Sequence, residues 1–177
     1  MLETRASKPI DAGPLAFLRA QLAPMRLRQA ALTGLGGFIT IFCLASLTAW
    51  LERLLLIAPF GASCVLVFAL PDSPLAQPRN VIGGHLVATA VGLAALALFG
   101  HGPFALAAGV GLAISAMALT KTVHPPAGAD PIVVILAGAS WPFLFTPVLA
   151  GAVFITLMGR AYRGAPFRLE KLIRSMR

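Results

Sequence analysis

The stretch TVHPPAGADP, Thr122–Pro131, lies in the middle of an otherwise apolar chain and decides how the fold is interpreted. It combines His124, Gly128 and Asp130 with two consecutive prolines. Proline removes a backbone donor and clashes with the preceding turn, so this segment cannot continue as an ordinary helix. Non-helical backbone survives at membrane depth only inside protein or beside a water-filled cavity, and polar side chains there mark a path or a binding site. The stretch therefore predicts the centre of a transport or permeation site.

The composition is typical of a membrane protein. Of 177 residues, 58% are hydrophobic and 11% are charged, which is roughly half the charge of a soluble domain. Long apolar runs separated by short links predict an all-α polytopic transmembrane bundle whose main partner is the lipid bilayer. Most of the 14 basic residues lie in the two ends of the chain. Basic ends beside membrane spans indicate topology determinants that touch anionic lipid, so nucleic acid is not an expected partner.

The pattern divides the chain into three regions. Residues 1–30 form a basic, partly amphipathic segment, residues 31–160 the transmembrane domain, and residues 161–177 a basic tail. Leu15, Leu18, Leu22 and Met25 recur at helical spacing, which predicts a short helix in the membrane surface. We expect both ends to lie in the cytoplasm of a bacterium, with the bundle in the inner membrane, because the basic ends then obey the positive-inside rule.

An internal repeat with an offset of 67 residues runs through the transmembrane domain. Pro59, Gly61 and Ala62 align with Pro126, Gly128 and Ala129, and the alignment continues without a gap to Gly92 and Gly159. The two halves, residues 33–99 and 100–166, each hold three apolar segments. Because three is an odd number, the second half is predicted to be inverted relative to the first, which is a common plan among transporters.

The second apolar segment, Leu54–Leu70, and the fifth, Pro126–Trp141, are short and are broken by proline and glycine. Two topologies follow from this. In the first, all six segments span the membrane, and every basic residue except Arg53 lies on the cytoplasmic side. In the second, segments two and five are re-entrant loops and only four segments span. The positive-inside rule favours six spans.

The two broken segments supply the candidate binding site. APFGAS, Ala58–Ser63, and PPAGAD, Pro125–Asp130, occupy equivalent places in the two halves, and matched interruptions of this kind are the best sequence indication of a midplane site. Free N–H groups at two helix beginnings suit a small anion. Ser63 and Asp130 are candidate N-caps, and Asp130 would carry a proton in a proton-coupled carrier. The residues expected to bind the anion here are Gly61, Ala62, Ser63, Gly128 and Asp130. The alternative is that both breaks are helix kinks required only for packing.

Two histidines and two cations complete the candidate site. His85, inside the third segment, and His124 are expected to supply a hydrogen bond or a proton, because histidine titrates near neutral pH. For each histidine, the alternative is a neutral side chain that is hydrogen-bonded across helices.

The cations of the candidate site are Arg79, with Asn80 beside it, and Lys121. They either draw an anion into a vestibule or serve only as topological anchors. We expect no metal, since His85, His124 and Asp130 alone do not make a metal site, and no cofactor.

Small residues recur every four positions along two of the spans. Gly84, Ala88 and Gly92 form one such series, and Ala105, Gly109 and Ala113 form another. The spacing predicts close helix–helix faces.

Enzymatic chemistry has no positive support in the sequence. It contains no nucleophile elbow, phosphate loop, zinc-protease motif or dinucleotide fingerprint, and Ser63 has no demonstrable base partner. A membrane-embedded enzyme and a structural or assembly subunit nevertheless remain as alternatives to a transporter. Six short helices make a small bundle, so a homo-oligomer is also an alternative.

Two runs together resemble a known family. GASCVLVFALPDSPLAQPRNVIGGH, Gly61–His85, followed by TKTVHPPAGADP, Thr120–Pro131, resembles the HPP family of small integral membrane proteins, which is named for the His-Pro-Pro triplet. The resemblance covers roughly residues 30–160. Members are usually described as having four transmembrane helices, and plant chloroplast and cyanobacterial relatives are associated with nitrite transport. The resemblance implies a transporter of a small anion, with nitrite as the leading candidate.

Overall fold

The computed structural model describes residues 27–175, with side chains for residues 27–164, and these residues form helices and no strands. The α-helices are α1 (Leu27–Leu51), α2 (Pro59–Ala69), α3 (Pro78–Phe99), α4 (Pro103–Leu119), α5 (Asp130–Ala137) and α6 (Ala150–Ser175). Short 3₁₀ turns at Pro74–Ala76, Pro125–Ala129 and Trp141–Leu144, and a π-helical segment at Phe145–Leu149, join them. The all-α prediction is confirmed. The helix predicted around Leu15–Met25 lies outside the described residues.

Prolines and glycines set the bounds of the helices. Pro59, Pro78 and Pro103 each occupy the first turn of a helix, where the missing N–H has no intrahelical partner to lose. Gly100 follows α3 with φ 72° and Gly138 follows α5 with φ 58°. Glycine adopts this left-handed backbone without the Cβ clash that other residues meet, so it ends helices readily.

Three stretches are long and apolar enough to cross a membrane, judged by length and composition across the described residues. They are Leu27–Leu51, Pro78–Phe99 and Trp141–Gly164. The shorter apolar helices are Pro59–Ala69, Pro103–Leu119 and Pro125–Ala137. The two broken segments gain length from non-helical backbone, because residues 54–57 precede α2 and residues 122–124 precede the Pro125–Ala129 turn.

Each broken segment runs from one end of the bundle to the other. At the start of segment two, the Leu55 N–H donates to Thr48 Oγ1 near the end of α1 (3.0 Å). At its other end, the Phe68 ring packs edge-to-face on Tyr162, in the middle of α6 (5.2 Å between centroids). The two ends of segment two therefore contact different helices.

Segment five follows an equivalent course. Near its start, Arg79 at the beginning of α3 donates to the Thr120 carbonyl (3.0 Å). Near its end, His101 in the link between α3 and α4 donates from Nδ1 to the Ile135 carbonyl (2.8 Å). The two ends of segment five therefore contact opposite ends of α3.

The same packing contact occurs in both halves. A Cβ built on Gly84 would lie 2.8 Å from the Thr122 carbonyl oxygen, and one built on Gly151 would lie 3.0 Å from the Leu55 carbonyl oxygen. These pairs are related by the offset of 67 residues. In each half, a glycine of a long helix thus touches the non-helical part of a broken segment. The inverted orientation of the halves stays a prediction.

The small-residue faces pack as predicted. Gly84 faces His124 and Gly92 faces Pro131, each so closely that an added Cβ would clash. Ala88, Ala105 and Ala113 are fully buried between α3, α4 and α5. A second core surrounds α2, where Phe60 and Val67 pack with Ile155 of α6. α1 leaves most of its apolar surface outside this core, including Phe38, Phe42 and Trp50.

Candidate functional site

Five polar side chains meet inside the bundle, at the junction of the two broken segments. They belong to Ser63 of α2, His85 and Thr89 of α3, His124 before the Pro125–Ala129 turn, and Asp130 at the start of α5. Each side chain has at most 1% of its surface exposed. We call these five residues the polar cluster. Four of its members were predicted as site residues, and the structure brings those four together.

His85 lies at the centre of the polar cluster and uses both ring nitrogens. Its Nε2 lies 2.8 Å from Ser63 Oγ, and its Nδ1 lies 2.7 Å from Asp130 Oδ2. Thr89 donates from Oγ1 to the same carboxyl oxygen (3.2 Å). The imidazole therefore connects the first broken segment to the second.

His124 is held by the link between α2 and α3. Its Nδ1 lies 2.8 Å from the Leu75 carbonyl oxygen, and its Nε2 lies 2.9 Å from Ser63 Oγ. A carbonyl oxygen only accepts hydrogen bonds, so Nδ1 of His124 carries a proton. Ser63 Oγ thus lies between the Nε2 atoms of two histidines, and it also makes a longer contact with the Pro59 carbonyl (3.3 Å).

Helical periodicity and one glycine assemble the polar cluster. Residues three and four apart share a helix face, which places His85 and Thr89 together on α3 and groups Ser63 with the buried Pro59 and Val67 on α2. Gly84 has no side chain, so the backbone at His124 can approach α3. A Cβ at position 84 would lie only 2.6 Å from the His124 Cβ, so a larger residue would clash there.

One carboxyl oxygen of the polar cluster has no hydrogen-bond partner among the described residues. It is Oδ1 of Asp130, which is buried. A buried carboxylate with a free oxygen is costly, whereas the carbonyl oxygen of a neutral carboxylic acid costs less to leave unpaired. The geometry therefore favours a proton shared between Asp130 and His85. Within residues 27–175, no group of three or more His, Cys, Asp or Glu side chains is placed to hold a metal ion.

The predicted N-caps are wrong. Neither Ser63 nor Asp130 is an N-cap, because the cap positions are Ala58 and Ala129 and neither helix start has a side-chain cap bond. The amides nearest the breaks are also occupied. Gly61 N–H donates to the Ala58 carbonyl (3.1 Å), and Ala127 N–H donates to the His124 carbonyl (3.0 Å).

Three predicted glycine and alanine contacts do not join the polar cluster. Gly61 and Ala62 are exposed and Gly128 is half-buried. The reason is the rotation of 100° per residue in α2, which turns residues 61 and 62 outward when Phe60, Ser63 and Val67 point inward. Ala62 and Gly61 each line a groove of the surface and not the polar centre.

The space between the two broken segments is apolar. A groove of about 710 Å³ runs between them. Every residue lining the groove is apolar: Ala58, Pro59, Ala62, Val65, Leu66, Pro125, Pro126, Ala129, Ile132 and Val133. We call this the apolar groove. The two breaks do meet, as the repeat predicts, but the polar groups lie behind the prolines and not in a wet hollow between them.

The predicted cations lie at one end of the bundle. Arg79 donates from Nη2 to the Thr120 carbonyl, and Asn80 donates from Nδ2 to the Val123 carbonyl (2.8 Å). Lys121 is exposed and has a left-handed backbone, with φ 56°. Arg79 and Asn80 therefore hold the backbone that leads into His124. None of the three side chains hydrogen-bonds a member of the polar cluster within the described part of the chain.

A second cleft was missed by reasoning from the sequence. It has a volume of about 160 Å³ and is lined by Val67, Ala76, Gln77, Pro78, Thr156, Arg160 and Arg163. We call it the basic cleft. It adjoins the polar cluster through the α2–α3 link, because Leu75 binds His124 and the neighbouring Ala76 lines the cleft. From the sequence, Arg160 and Arg163 belong to the basic C-terminal end, for which only a role in membrane topology is predicted.

Thr89 and the Leu75 carbonyl were also missed. Thr89 had a usable signal, since it lies four residues after His85 and aligns with Thr156 in the repeat. No sequence signal identifies the Leu75 carbonyl, because it reaches His124 from 49 residues away.

Comparison with known proteins identifies a family of membrane proteins. The family described as HPP, transmembrane region, matches residues 22–168. A transmembrane protein of Dictyostelium discoideum is 36% identical, over 76% of this chain and 48% of its own length. A second transmembrane protein of that organism is 35% identical, over 74% of this chain and 50% of its own length.

The chain spans about half the length of these curated relatives. No solved structure matches it. The family match covers the whole region from α1 through most of α6, including the His-Pro-Pro triplet that carries His124 into the polar cluster. The chain therefore belongs to the HPP transmembrane family.

Proposed function

We propose that this membrane protein transports a small anion, with nitrite as the leading candidate. The observation that carries the proposal is the polar cluster, which joins the two broken segments inside an otherwise apolar bundle. Ionisable side chains inside a membrane are costly and usually belong to a substrate or proton pathway. Discontinuous segments that meet at such a site are characteristic of transporters.

The charge at one end of the bundle supports an anion over a cation. Arg160 and Arg163 line the basic cleft, and Arg79 is held at the same end through Thr120. Positive charge lining a cleft raises the local concentration of anions. His124 contacts the α2–α3 link beside that cleft through the Leu75 carbonyl, and an imidazole that is protonated on both nitrogens is a cation that attracts an oxyanion such as nitrite.

We place the basic end in the cytoplasm and propose six crossings. The positive-inside rule supports this orientation. The contacts of segments two and five with opposite ends of the bundle support six crossings over four. The inner membrane of a bacterium is the proposed location.

Nitrite influx into proteoliposomes tests the proposal. The purified protein should give saturable influx above that of empty liposomes, and other small oxyanions should compete. His124→Asn retains a donor for the Leu75 carbonyl but no longer reaches Ser63. It should lower influx about tenfold or more, because a hydrogen bond to a charged group contributes about 1.5–3 kcal/mol and about 1.4 kcal/mol equals a factor of ten.

A matched control separates the site from general packing. Thr40→Ala removes a buried hydroxyl that bonds only its own helix, from Oγ1 to the Gly36 carbonyl (2.8 Å), and it should leave influx unchanged. Influx equal to that of empty liposomes would contradict transport of nitrite. Equal influx in wild type and His124→Asn would contradict the assigned site.

A hydrolase is the second candidate, because of one observation. Ser63, His85 and Asp130 are hydrogen-bonded in the order nucleophile, base and orienting acid, which is the arrangement of serine hydrolases. Against this, Ser63 is fully buried and His124 occupies a second side of its oxygen. A carbonyl carbon therefore has no free approach to Ser63 Oγ.

A fluorophosphonate probe distinguishes the two functions. We expect no labelling of Ser63 in protein that transports nitrite. Labelling that Ser63→Ala abolishes and Thr40→Ala preserves would establish a reactive serine and favour a membrane-embedded hydrolase.

A further inference from the structure

We propose that Ser63 relays a proton between the His85–Asp130 pair and His124, and that this relay couples anion transport to proton movement. The relay itself stands on the geometry of the polar cluster. The coupling rests on the proposed transport function and deepens it.

The first step concerns the hydrogen atom of Ser63. Its oxygen lies 2.8 Å from His85 Nε2 and 2.9 Å from His124 Nε2, but a hydroxyl has one proton to donate. Both contacts are hydrogen bonds only when Ser63 donates to one ring and accepts from the other. The longer contact with the Pro59 carbonyl (3.3 Å) is the weaker use of that proton.

The second step is that two arrangements satisfy this condition. In arrangement one, His85 donates from Nε2 to Ser63, and Ser63 donates to Nε2 of a neutral His124. In arrangement two, His124 carries protons on both nitrogens and donates to Ser63, and Ser63 donates to His85 Nε2. The Leu75 carbonyl keeps a proton on His124 Nδ1 in both.

The third step is the proton balance between the arrangements. The proton on His85 Nε2 moves to Ser63 Oγ while the Ser63 proton moves to His124 Nε2. The proton shared by His85 and Asp130 settles on His85 Nδ1, which leaves Asp130 as a carboxylate. The number of protons and the net charge stay the same, and no electrons move. One positive charge has moved to His124, and one negative charge remains on Asp130.

The surroundings of each charge fit its role. Thr89 donates to Asp130 Oδ2, which stabilises the carboxylate of arrangement two. Among residues with described side chains, the other titratable or charged groups on the packed elements are Cys64 on α2, Asp72 in the α2–α3 link, Arg79 on α3, His101 in the α3–α4 link, Lys121 after α4, and Arg160, Tyr162 and Arg163 on α6. None of these side chains hydrogen-bonds a member of the polar cluster within residues 27–164.

An anion near His124 selects arrangement two. A doubly protonated His124 is a cation, so an anion that reaches it from the basic cleft stabilises that arrangement, and by linkage the proton shift strengthens anion binding. Release of the anion together with the His124 Nε2 proton leaves Asp130 as a carboxylate. Asp130 then takes up one proton, for which its unpartnered Oδ1 is available, and His85 returns from the Nδ1–H to the Nε2–H tautomer, which restores arrangement one. The cycle moves one proton with each anion.

Ser63→Ala tests the coupling in proteoliposomes that contain a pH indicator. Wild type should take up protons and nitrite in equal numbers, and an inward proton gradient should accelerate nitrite uptake. Ser63→Ala should lower this gradient-driven uptake by roughly 10²-fold, as expected for the loss of a positioned proton donor. Exchange of external for internal nitrite, which needs no net proton transfer, should fall much less. Thr40→Ala, which also removes a buried hydroxyl, should behave as wild type.

Coupling that is unchanged in Ser63→Ala would overturn the relay and leave the transport function intact. A second measurement tests the relay even if wild type moves no nitrite. Infrared spectra of the purified protein report protonation of Asp130 through its carboxyl band, which is assigned by its loss in Asp130→Asn. His124→Asn should shift the pH at which this band changes, and it should cause no shift when Ser63→Ala is already present. The same shift with and without Ser63 would overturn the proposal.

Discussion

At the scale of single residues, His85 is the side chain through which the two broken segments interact. One ring nitrogen contacts α2 and the other contacts α5, at 2.8 and 2.7 Å. Loss of either contact leaves a buried polar atom without a partner, which costs more than the hydrogen bond itself contributes. The polar cluster is therefore expected to be sensitive to which atoms are replaced as well as to the size of the side chain.

Two substitutions of Asp130 test its protonation. Asn has the shape of a neutral carboxylic acid, and its amide can donate to His85 Nδ1, so Asp130→Asn should change the free energy of unfolding by less than about 1 kcal/mol. Asp130→Leu leaves His85 and Thr89 without their partner and should cost about 1–3 kcal/mol. Denaturant unfolding in detergent measures both. An equal loss of unfolding free energy in the two variants would indicate that Asp130 is a carboxylate and that its charge stabilises the fold.

The close approach at Gly84 gives a second prediction. Gly84→Ala adds a Cβ 2.8 Å from the Thr122 carbonyl oxygen, where the contact is backbone and cannot rotate away. We expect a loss of about 1–3 kcal/mol, as for other overpacked sites. Gly111→Ala on α4 is the control, because nothing lies within 4 Å of its added Cβ. A loss at Gly111 as large as at Gly84 would contradict the packing explanation.

The members of the polar cluster were largely identifiable from the sequence, whereas their partners were not. Ser63, His85, His124 and Asp130 stand out because polar side chains are rare in apolar segments. Their hydrogen bonds join residues 22 to 61 positions apart. Such pairings depend on how the helices pack, and a single sequence does not contain that information.

At the scale of elements, the helix ends follow from local chemistry, and the broken segments follow from it only in part. Proline at the first turn and glycine after the last turn were readable signals. The assignment of Ser63 and Asp130 as caps failed because the helical turns begin at Ala58 and Ala129 instead. Proline indicates that a helix is interrupted, but it does not specify which residue next adopts helical geometry.

The end of α4 supports a prediction about Lys121. This residue has φ 56°, and the next amide, Thr122 N–H, donates back to the Met117 carbonyl (2.9 Å). A left-handed backbone costs roughly 1 kcal/mol for a residue with a Cβ, and glycine avoids that cost. Lys121→Gly should therefore raise the free energy of unfolding by up to about 1 kcal/mol.

Lys121→Ala is the control for this prediction, because it removes the charge and keeps the Cβ. It should show no such gain. Glu52, with φ 51° after α1, offers an independent repetition through Glu52→Gly. Equal stability of the Gly and Ala variants would mean that the charge of Lys121, and not its backbone, determines the effect.

At the scale of the whole molecule, the contacts at the two ends of each broken segment support the proposed six crossings. Six crossings then place the Glu52 and His101 links on one side and the Asp72 and Lys121 links on the other.

Single cysteines at these four positions test the topology. The background is the double variant Cys43→Ala and Cys64→Ala, which removes both native thiols. We expect a membrane-impermeant maleimide to label positions 52 and 101 on intact cells, and positions 72 and 121 only after the membrane is opened. Equal labelling of positions 52 and 72 on intact cells would indicate a re-entrant loop.

The helical bundle was predicted in outline from the apolar segments, and two contacts are consistent with the repeat. The offset of 67 residues relates Gly84 and Thr122 to Gly151 and Leu55, and both pairs are in close contact. The apolar groove and the basic cleft were not predictable, because each is a space between elements. Its lining depends on how far each helix is rotated about its axis, and the uniformly apolar sequences of α1, α3 and α4 do not indicate that rotation.

Ser63 and Asp130 are the same position of the repeat, seen once in each half. Both touch His85, one at each nitrogen. If both halves had the same residue type at this position, the two neighbours of the His85 imidazole would be chemically identical. Divergence at this single aligned position makes one neighbour an alcohol and the other an acid. In the proposed relay, this difference between the two neighbours of His85 gives proton movement a preferred direction.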